Sequence, residues 1–386
     1  MRQVYLDHNA TTPILPEVLD TMLRYCSDGF GNPSSVHRYG RQARVTVDEA
    51  RDCIAQMLAA PAASITFCSG GTEANNTIVK GVAAALKERG NHLVTSPIEH
   101  PAVLDVCADL ARQGYEITYV PVDDQGIVDP EAVREALTDD TILVSIMYAN
   151  NETGTVQPIA DIARLVGERG ILMHTDAVQA FGKLPMRVED LGVDFLSFSG
   201  HKLYAPKGIG GWYRRPQAPL HPLLHGGHQE RGWRSGTENV AGIAALGKAC
   251  EIAQSDMFQE WERLRQLQQS FERGLRQHFA DVRIQGEGAH RLPTTTNAAF
   301  TGVEGETLMM SLDLQGVAIS TGSACSSGSL EPSHVLRAMH VPDDYLPGAL
   351  RFSFGRSTTG DDLVYVLDIL PDIVANARAF SSTFAP

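Results

Sequence analysis

Met173-His174-Thr175-Asp176-Ala177-Val178-Gln179 follows directly on Ile171-Leu172 and turns an apolar run into a polar one; about 25 residues on, Phe198-Ser199-Gly200-His201-Lys202 does the same. Short apolar runs bounded in this way predict strands, over 171–175 and 194–198. Open α/β sheets place their ligands beyond the carboxyl ends of the strands, so both polar sets are expected at one crevice. Working outward, strands are predicted over 64–69, 92–96, 116–120 and 141–148, with helices over 72–89, 103–113, 130–137 and 159–169 between them. This alternation, from about residue 64 to 210, predicts an α/β body with a mostly parallel sheet. From about 240 to 279 the chain reads as one long helical region, with Leu264, Leu267, Phe271 and Leu275 at three- and four-residue spacing. Shorter strand candidates (296–300, 317–320, 349–354) and two helices (305–315, 360–380) follow and predict a smaller α+β domain.

At 386 residues the chain is long enough for two or three domains with real hydrophobic cores. Lys and Arg number 32 against 46 Asp and Glu, a formal net charge of −14, which gives no general attraction to phosphate backbones or anionic lipid. Neither a nucleic-acid nor a membrane partner is expected. No apolar run approaches the length of a membrane span, and Met1-Arg2-Gln3-Val4-Tyr5-Leu6-Asp7 turns polar too early for a secretory signal, so a cytoplasmic location is expected. The six cysteines, at 26, 53, 68, 107, 250 and 325, include no CxxC pair, and neither a disulfide framework nor a zinc ribbon is indicated.

Three constellations carry chemistry. In Phe67-Cys68-Ser69-Gly70-Gly71-Thr72-Glu73-Ala74-Asn75 a strand runs through a Gly-Gly turn into a helix, whose exposed N–H groups and Thr hydroxyl suit a phosphate; a plain turn is the alternative. Asp176 and Lys202, at the ends of two strands, are what a pyridoxal phosphate enzyme needs, a carboxylate for the pyridine nitrogen and an amine for the Schiff base. A buried ion pair capping two strands would use the same residues. Ser199, His201 and the Thr72 loop, all able to meet a phosphate, favour the cofactor. Cys325 lies in Thr321-Gly322-Ser323-Ala324-Cys325-Ser326-Ser327-Gly328-Ser329, a run of small residues that predicts a mobile, exposed loop. Free cysteine is usually buried, so a thiol there is suited to reacting, whereas the other five are expected to pack. His221, His225 and His228 stand among Pro219, Pro222, Gly226 and Gly227, which argues against a helical zinc site, and the segment is read as a loop near a partner subunit's active site.

Together with Tyr5-Leu6-Asp7-His8-Asn9-Ala10-Thr11-Thr12, Phe30-Gly31-Asn32-Pro33-Ser34-Ser35-Val36-His37, Glu99-His100, Asn150-Asn151-Glu152-Thr153-Gly154-Thr155, Arg234-Ser235-Gly236-Thr237 and Gly322-Ser323-Ala324-Cys325, these stretches resemble, in order, the motifs of the cysteine desulfurases in the class V aminotransferase group. The likeness runs from residue 5 to about 359. Gly226-Gly227-His228-Gln229-Glu230-Arg231-Gly232, Glu238-Asn239 and Arg291-Leu292-Pro293 are closer to the nitrogen-fixation (NifS-like) members. His8, where many members carry Asn, is a departure expected to alter contacts near the active-site mouth.

The resemblance implies a pyridoxal-phosphate-dependent transferase-like fold of the aspartate aminotransferase kind, fold type I. A large cofactor domain over 15–260 and a small domain formed by 1–14 and 261–386 would make up the chain. It implies Lys202 as Schiff-base lysine, Asp176 as partner of the pyridine nitrogen, and His100 stacked on the ring as acid or base. Asn151 and Gln179 would bond the ring oxygen, while Gly71, Thr72, Ser199 and His201 hold the phosphate and Thr237 serves the phosphate of the neighbouring subunit in a homodimer. Asn151 and Arg351 would bind the substrate, Arg351 at its carboxylate, where without the resemblance a surface ion pair is the simpler reading of Arg351. Cys325 would take sulfur from L-cysteine as a persulfide, leaving L-alanine, and pass it to an iron-sulfur scaffold protein, nitrogenase maturation among the destinations. No stable metal site is expected, with Cys325 the one candidate for a transient iron-sulfur ligand. An aminotransferase or selenocysteine lyase of the same group would not need the Cys325 loop, and a non-catalytic scaffold would not need Lys202, Asp176 and Cys325 together.

Overall fold

A computed structural model describes residues 2–321 and 332–383, so that Cys325 and its neighbours in 322–331 lie outside the described residues. The predicted alternation forms a seven-stranded sheet. Its order is Ile65–Cys68, Gly210–Arg214, Phe195–Ser199, Leu172–Asp176, Thr141–Ser145, His92–Thr95 and Glu116–Tyr119. The pairings from Phe195–Ser199 to Glu116–Tyr119 are parallel, and Gly210–Arg214 runs antiparallel to both neighbours. The predicted set lacks that strand, because its glycines hide the apolar alternation. Gly210 and Gly211 are there for a steric reason: a Cβ on Gly210 would stand 2.7 Å from the Cα of Gly70, and one on Gly211 2.5 Å from the carbonyl oxygen of Thr66. The five central strands bury every residue or nearly so, as a parallel sheet covered on both faces requires.

Helices Gly71–Ala85, Pro101–Arg112, Pro130–Ala136 and Ile159–Glu168 lie within a few residues of their predicted bounds. Proline at the first turn, which has no N–H to lose, marks the start of two of them, at Pro101 and Pro130. The N-terminal 60 residues, for which no element is predicted, hold Pro16–Ser27 and Arg38–Leu58. Both pack against the helix Val240–His278.

That helix has 39 residues, roughly 58 Å at 1.5 Å per residue, and changes neighbours halfway. Up to Ala253 its buried side chains belong to the core of the large sheet. From Leu264 to Phe279 they join a second core with Phe300, Leu312, Phe352 and Leu370, and with Val4 and Leu6 from the chain start. The second core carries an antiparallel sheet ordered Ser320–Thr321, Ala349–Ser353, Thr295–Ala299, Arg283–Ile284, and Val4–Tyr5 pairs in parallel with Val317–Ala318. Residues 7–12 then leave this core and cross to the ends of the large sheet, Asn9 bonding Ser353 and Thr295 on one side and the Asn151 carbonyl on the other, so the segment bridges both bodies.

Candidate active site

The crossing chain, the strand ends and the first turn of Gly71–Ala85 enclose a cavity of about 350 Å³. Its lining includes Gly71, Thr72, His100, Asn151, Asp176, Gln179, Ser199, His201, Lys202 and Arg351, all of which the sequence had put forward. Thr237 is not among them. It is exposed and borders a separate depression with Ser69, Gly208 and Arg234.

Asp176 ends the strand Leu172–Asp176, is 5% exposed and is not paired with Lys202. Its Oδ1 accepts from the Val178 amide at 2.9 Å, and its Oδ2 accepts from Asn75 Nδ2 at 2.6 Å. The capping ion pair is thereby excluded as the reason for these two residues. Lys202, in the single turn after Phe195–Ser199, instead donates to the carbonyl oxygens of Asn9 and, at 2.8 Å, Ala10.

At the opposite end, Gly70 has φ 152°, ψ −173°, a conformation that only glycine adopts readily, and this aims the chain into the helix. A Cβ on Gly71 would lie 2.7 Å from Val178 Cγ2, so the close approach of loop and floor depends on its absence. First-turn N–H groups of such a helix lack partners within it and favour an anion. Arg234 grips Glu73 (Nε to Oε1 2.8 Å), whose other oxygen accepts from the Ser69 amide at 2.9 Å, bracing the loop from outside.

His100 is the N-cap of Pro101–Arg112; its Nδ1 accepts from the Ala102 amide at 3.0 Å, so a neutral ring carries its proton on Nε2. Burial lowers its pKa, with the Lys202 charge adding to the effect and Asp176 opposing it. Behind it Glu99 is fully enclosed, accepts from Ser96 Oγ at 2.7 Å and the Met147 amide at 2.9 Å, and is pushed by burial up to about 8. Arg351, from strand Ala349–Ser353, is 2% exposed, so its surface ion-pair reading fails. It does hold Asp7 (2.8 Å) and the carbonyl of Asn151 (3.2 Å), yet a guanidinium has five N–H groups and its Nε is unpartnered. Donors remain for an anion entering the cavity.

These groups fit pyridoxal phosphate. A fixed, buried carboxylate faces the same cavity as a lysine amine, an anion-binding helix start with the Ser199 hydroxyl beside it, and a neutral imidazole.

Asn9, Ala10, Asn75, Met147, Ala149 and Val178 also line the cavity, and the sequence predicts no role for them. Asn75 had a readable signal, one helical turn beyond Gly71. Asn9 had none, since its role follows from the chain crossing between cores. His8 does not lie at the mouth: it is 2% exposed, edge-on to Tyr5 at 4.9 Å and packed on Gly355, and it faces a second, smaller space behind Lys202. Burial drops its pKa to about 4, leaving it neutral. Cys68, Cys107 and Cys250 are buried and Cys53 is partly buried, as expected, whereas Cys26 is exposed on Pro16–Ser27. Burial raises the pKa values of Cys53, Cys68, Cys107 and Cys250, Cys107 to about 12, so these thiols stay protonated and unreactive near neutrality. The segment of His221, His225 and His228 is irregular, without helix.

The family description aminotransferase class-V matches residues 4–366. The chain is 50% identical over 380 residues to the cysteine desulfurase IscS of Dictyoglomus turgidum, covering 98% of this chain and 96% of that one. It is 45% identical over 382 residues to the cysteine desulfurase IscS of Clostridium botulinum, at 98% and 96% coverage. A solved structure titled NifS-like protein superposes with a TM-score of 0.92 at 38% identity, covering 97% of this chain and all of the other.

Proposed function

We propose a division of labour within this one cavity, from the premise that the chain belongs to the aminotransferase class-V family and is, within it, a pyridoxal-phosphate-dependent cysteine desulfurase. Bound pyridoxal phosphate supplies an electron sink that makes the α-proton and the β-sulfur of L-cysteine labile. Lys202 is the amine that holds the cofactor and, once released, the base that takes the α-proton; Asp176, fixed in place by Val178 and Asn75, is the partner of the ring nitrogen. Gly71, Thr72, Ser199 and His201 bind the phosphate, Asn151 and Gln179 meet the ring oxygen, and Arg351 orients the substrate carboxylate with its spare donors. His100, neutral and with its proton on Nε2, moves protons above the site.

Cys325 is the sulfur acceptor: its thiolate forms an S–S bond as the substrate Cβ–S bond breaks, the carbon takes up a proton, and L-cysteine plus thiol become L-alanine plus persulfide. The convergence of Lys202, Asp176 and Arg351 on one cavity, with Asp176 bonded to Val178 and Asn75 and Lys202 reaching the carbonyl oxygens of Asn9 and Ala10, carries this reading. Two copies complete the assembly, Thr237 of each reaching the phosphate of the other. The 15–260 body holds the cofactor and the 1–14 and 261–386 body brings the cysteine; the change of core along Val240–His278 supports that division. The persulfide passes to an iron-sulfur scaffold protein. Nitrogenase maturation is proposed as a destination of that sulfur, supported by the NifS-like stretches at 226–232, 238–239 and 291–293. No described helix is long and apolar enough to cross a membrane, and a cytoplasmic setting is proposed on the composition. The test is Cys325→Ala: it should bind pyridoxal phosphate with a normal visible band yet release no sulfide from L-cysteine, and full sulfide release would overturn the assignment.

A further inference from the structure

Lys183 sits seven residues after Asp176 in a coiled turn, where the Phe181 amide donates to the Ala177 carbonyl at 2.7 Å and the Lys183 amide to the Ala180 carbonyl at 2.9 Å. The coiling brings residues four apart to one side, and Lys183 Nζ donates to Gln179 Oε1 at 3.1 Å. An ammonium or amine facing that oxygen fixes the amide: its NH2 must point the other way, and Gln179 Nε2 donates to the Asn9 carbonyl oxygen at 3.0 Å. The same oxygen accepts from Lys202. An unbroken path of hydrogen bonds therefore joins the two lysines through Gln179 and Asn9.

Both lysines also border the small space behind Lys202, together with His8, Thr12, Tyr204, Glu260 and Arg356. Among the described residues, the charged groups facing Lys183 there give it no counter-ion. Glu260 is bound at both oxygens to Arg263 (2.7 and 2.8 Å), and Arg356 is bound to Asp256 (2.6 and 2.7 Å). His8 and His201 are held neutral, each brought to about 4 chiefly by burial, and Arg351 adds a further cation already paired with Asp7.

We propose that Lys183 is a positioning residue for the reaction, which sets the donor face of Gln179 towards the cavity and lowers the proton affinity of Lys202 by placing an uncompensated cation behind it. The proposal rests on Lys202 being the cofactor lysine. Burial, with Lys202 and Arg351 adding to it, brings Lys183 itself down to about 7, so the influence is strongest below neutrality. Removing a cation favours protonation of a neighbouring nitrogen, so its loss must move that nitrogen's midpoint upward.

The experiment is a pH titration of the visible absorbance of the holoenzyme without substrate, paired with the pH dependence of Lys202 modification by an amine-reactive reagent in the apoprotein, read by peptide mass spectrometry. Lys183→Met should raise both midpoints by about one pH unit, a tenfold change in proton affinity, while Lys183→Arg should keep both near wild type. Lys183→Gln, which keeps a donor for Gln179 but no charge, carries the test if the methionine variant does not fold, and should shift upward as well. Unchanged midpoints in Met or Gln, or an equal shift in Arg, overturn the proposal as a merely structural role. A wild-type protein that takes up pyridoxal phosphate without forming a visible band would instead remove the reading of Lys202 on which it stands.

Discussion

Lys202 separates two spaces of different chemistry. In front lies the open cavity of about 350 Å³, whose polar groups are anchored one by one to backbone, as Asp176 is by Val178 and His100 by Ala102. Behind it lies a space of about 40 Å³ in which, among the described residues, His8 has both ring nitrogens unpartnered and Lys183 faces no free carboxylate. The front is built so that charges are where a ligand needs them, and the rear so that the Glu260 carboxylate bordering it is already taken by Arg263, and Arg356 beside it by Asp256. The difference teaches that the reactivity of one amine is set from both sides, by what it will bind and by what repels its proton.

The sharpest break of the comparison is at its centre. Lys202→Ala should lower desulfuration by more than about a thousandfold, since both the cofactor's anchor and the base for the α-proton go, and sulfide release under saturating L-cysteine measures it. Asp176→Ala comes next, with a loss of about a hundredfold or more in kcat and a weaker hold on pyridoxal phosphate, seen by dialysis against buffer and absorbance. Arg351→Ala should mainly raise KM, by about 30- to 100-fold, the effect of one charge-assisted hydrogen-bonding group; an unchanged KM with low kcat would place Arg351 among the residues holding Asp7 and Asn151 rather than substrate.

Milder changes sharpen the contrast. Asn75→Ala removes one of two donors to Asp176 and should weaken cofactor retention by about tenfold while leaving the protein folded, measured by dialysis and by thermal melting. At the rear, His8 has a native pKa near 4 against an ordinary 6.5, so between those values the unfolded chain binds more protons and stability falls as pH is lowered through that window. His8→Asn should flatten that part of the acid limb in melting temperature between pH 6.5 and 4 and barely alter sulfide release at pH 8.

The front of the site was legible in the sequence because it sits on regular elements. Asp176, Ser199 and Lys202 mark strand ends, and Gly70-Gly71-Thr72 marks a helix start, so periodicity and turn chemistry alone point to them. His8 at the rear and Asn9 at the front were not legible, since they reach the site only because the chain start pairs with Val317–Ala318 and then crosses to the large sheet. No local pattern encodes a contact between residue 9 and residues 179, 202, 295 and 353. The strand Gly210–Arg214 escaped for a related reason, its glycines answering to neighbours far away in sequence rather than to strand propensity. Arg351 shows a third case, in which identity is readable but burial is not.

The central claim is that sulfur leaves L-cysteine in this cavity and comes to rest on Cys325. Peptide mass spectrometry of the holoenzyme after a short exposure to L-cysteine, with thiols trapped, tests it most directly. The account predicts the added mass of one sulfur atom on the Cys325 peptide, absent in Lys202→Ala and from the peptides of Cys53, Cys68, Cys107 and Cys250. Sulfur carried instead by exposed Cys26, or alanine formed at the wild-type rate by Cys325→Ala, would contradict it.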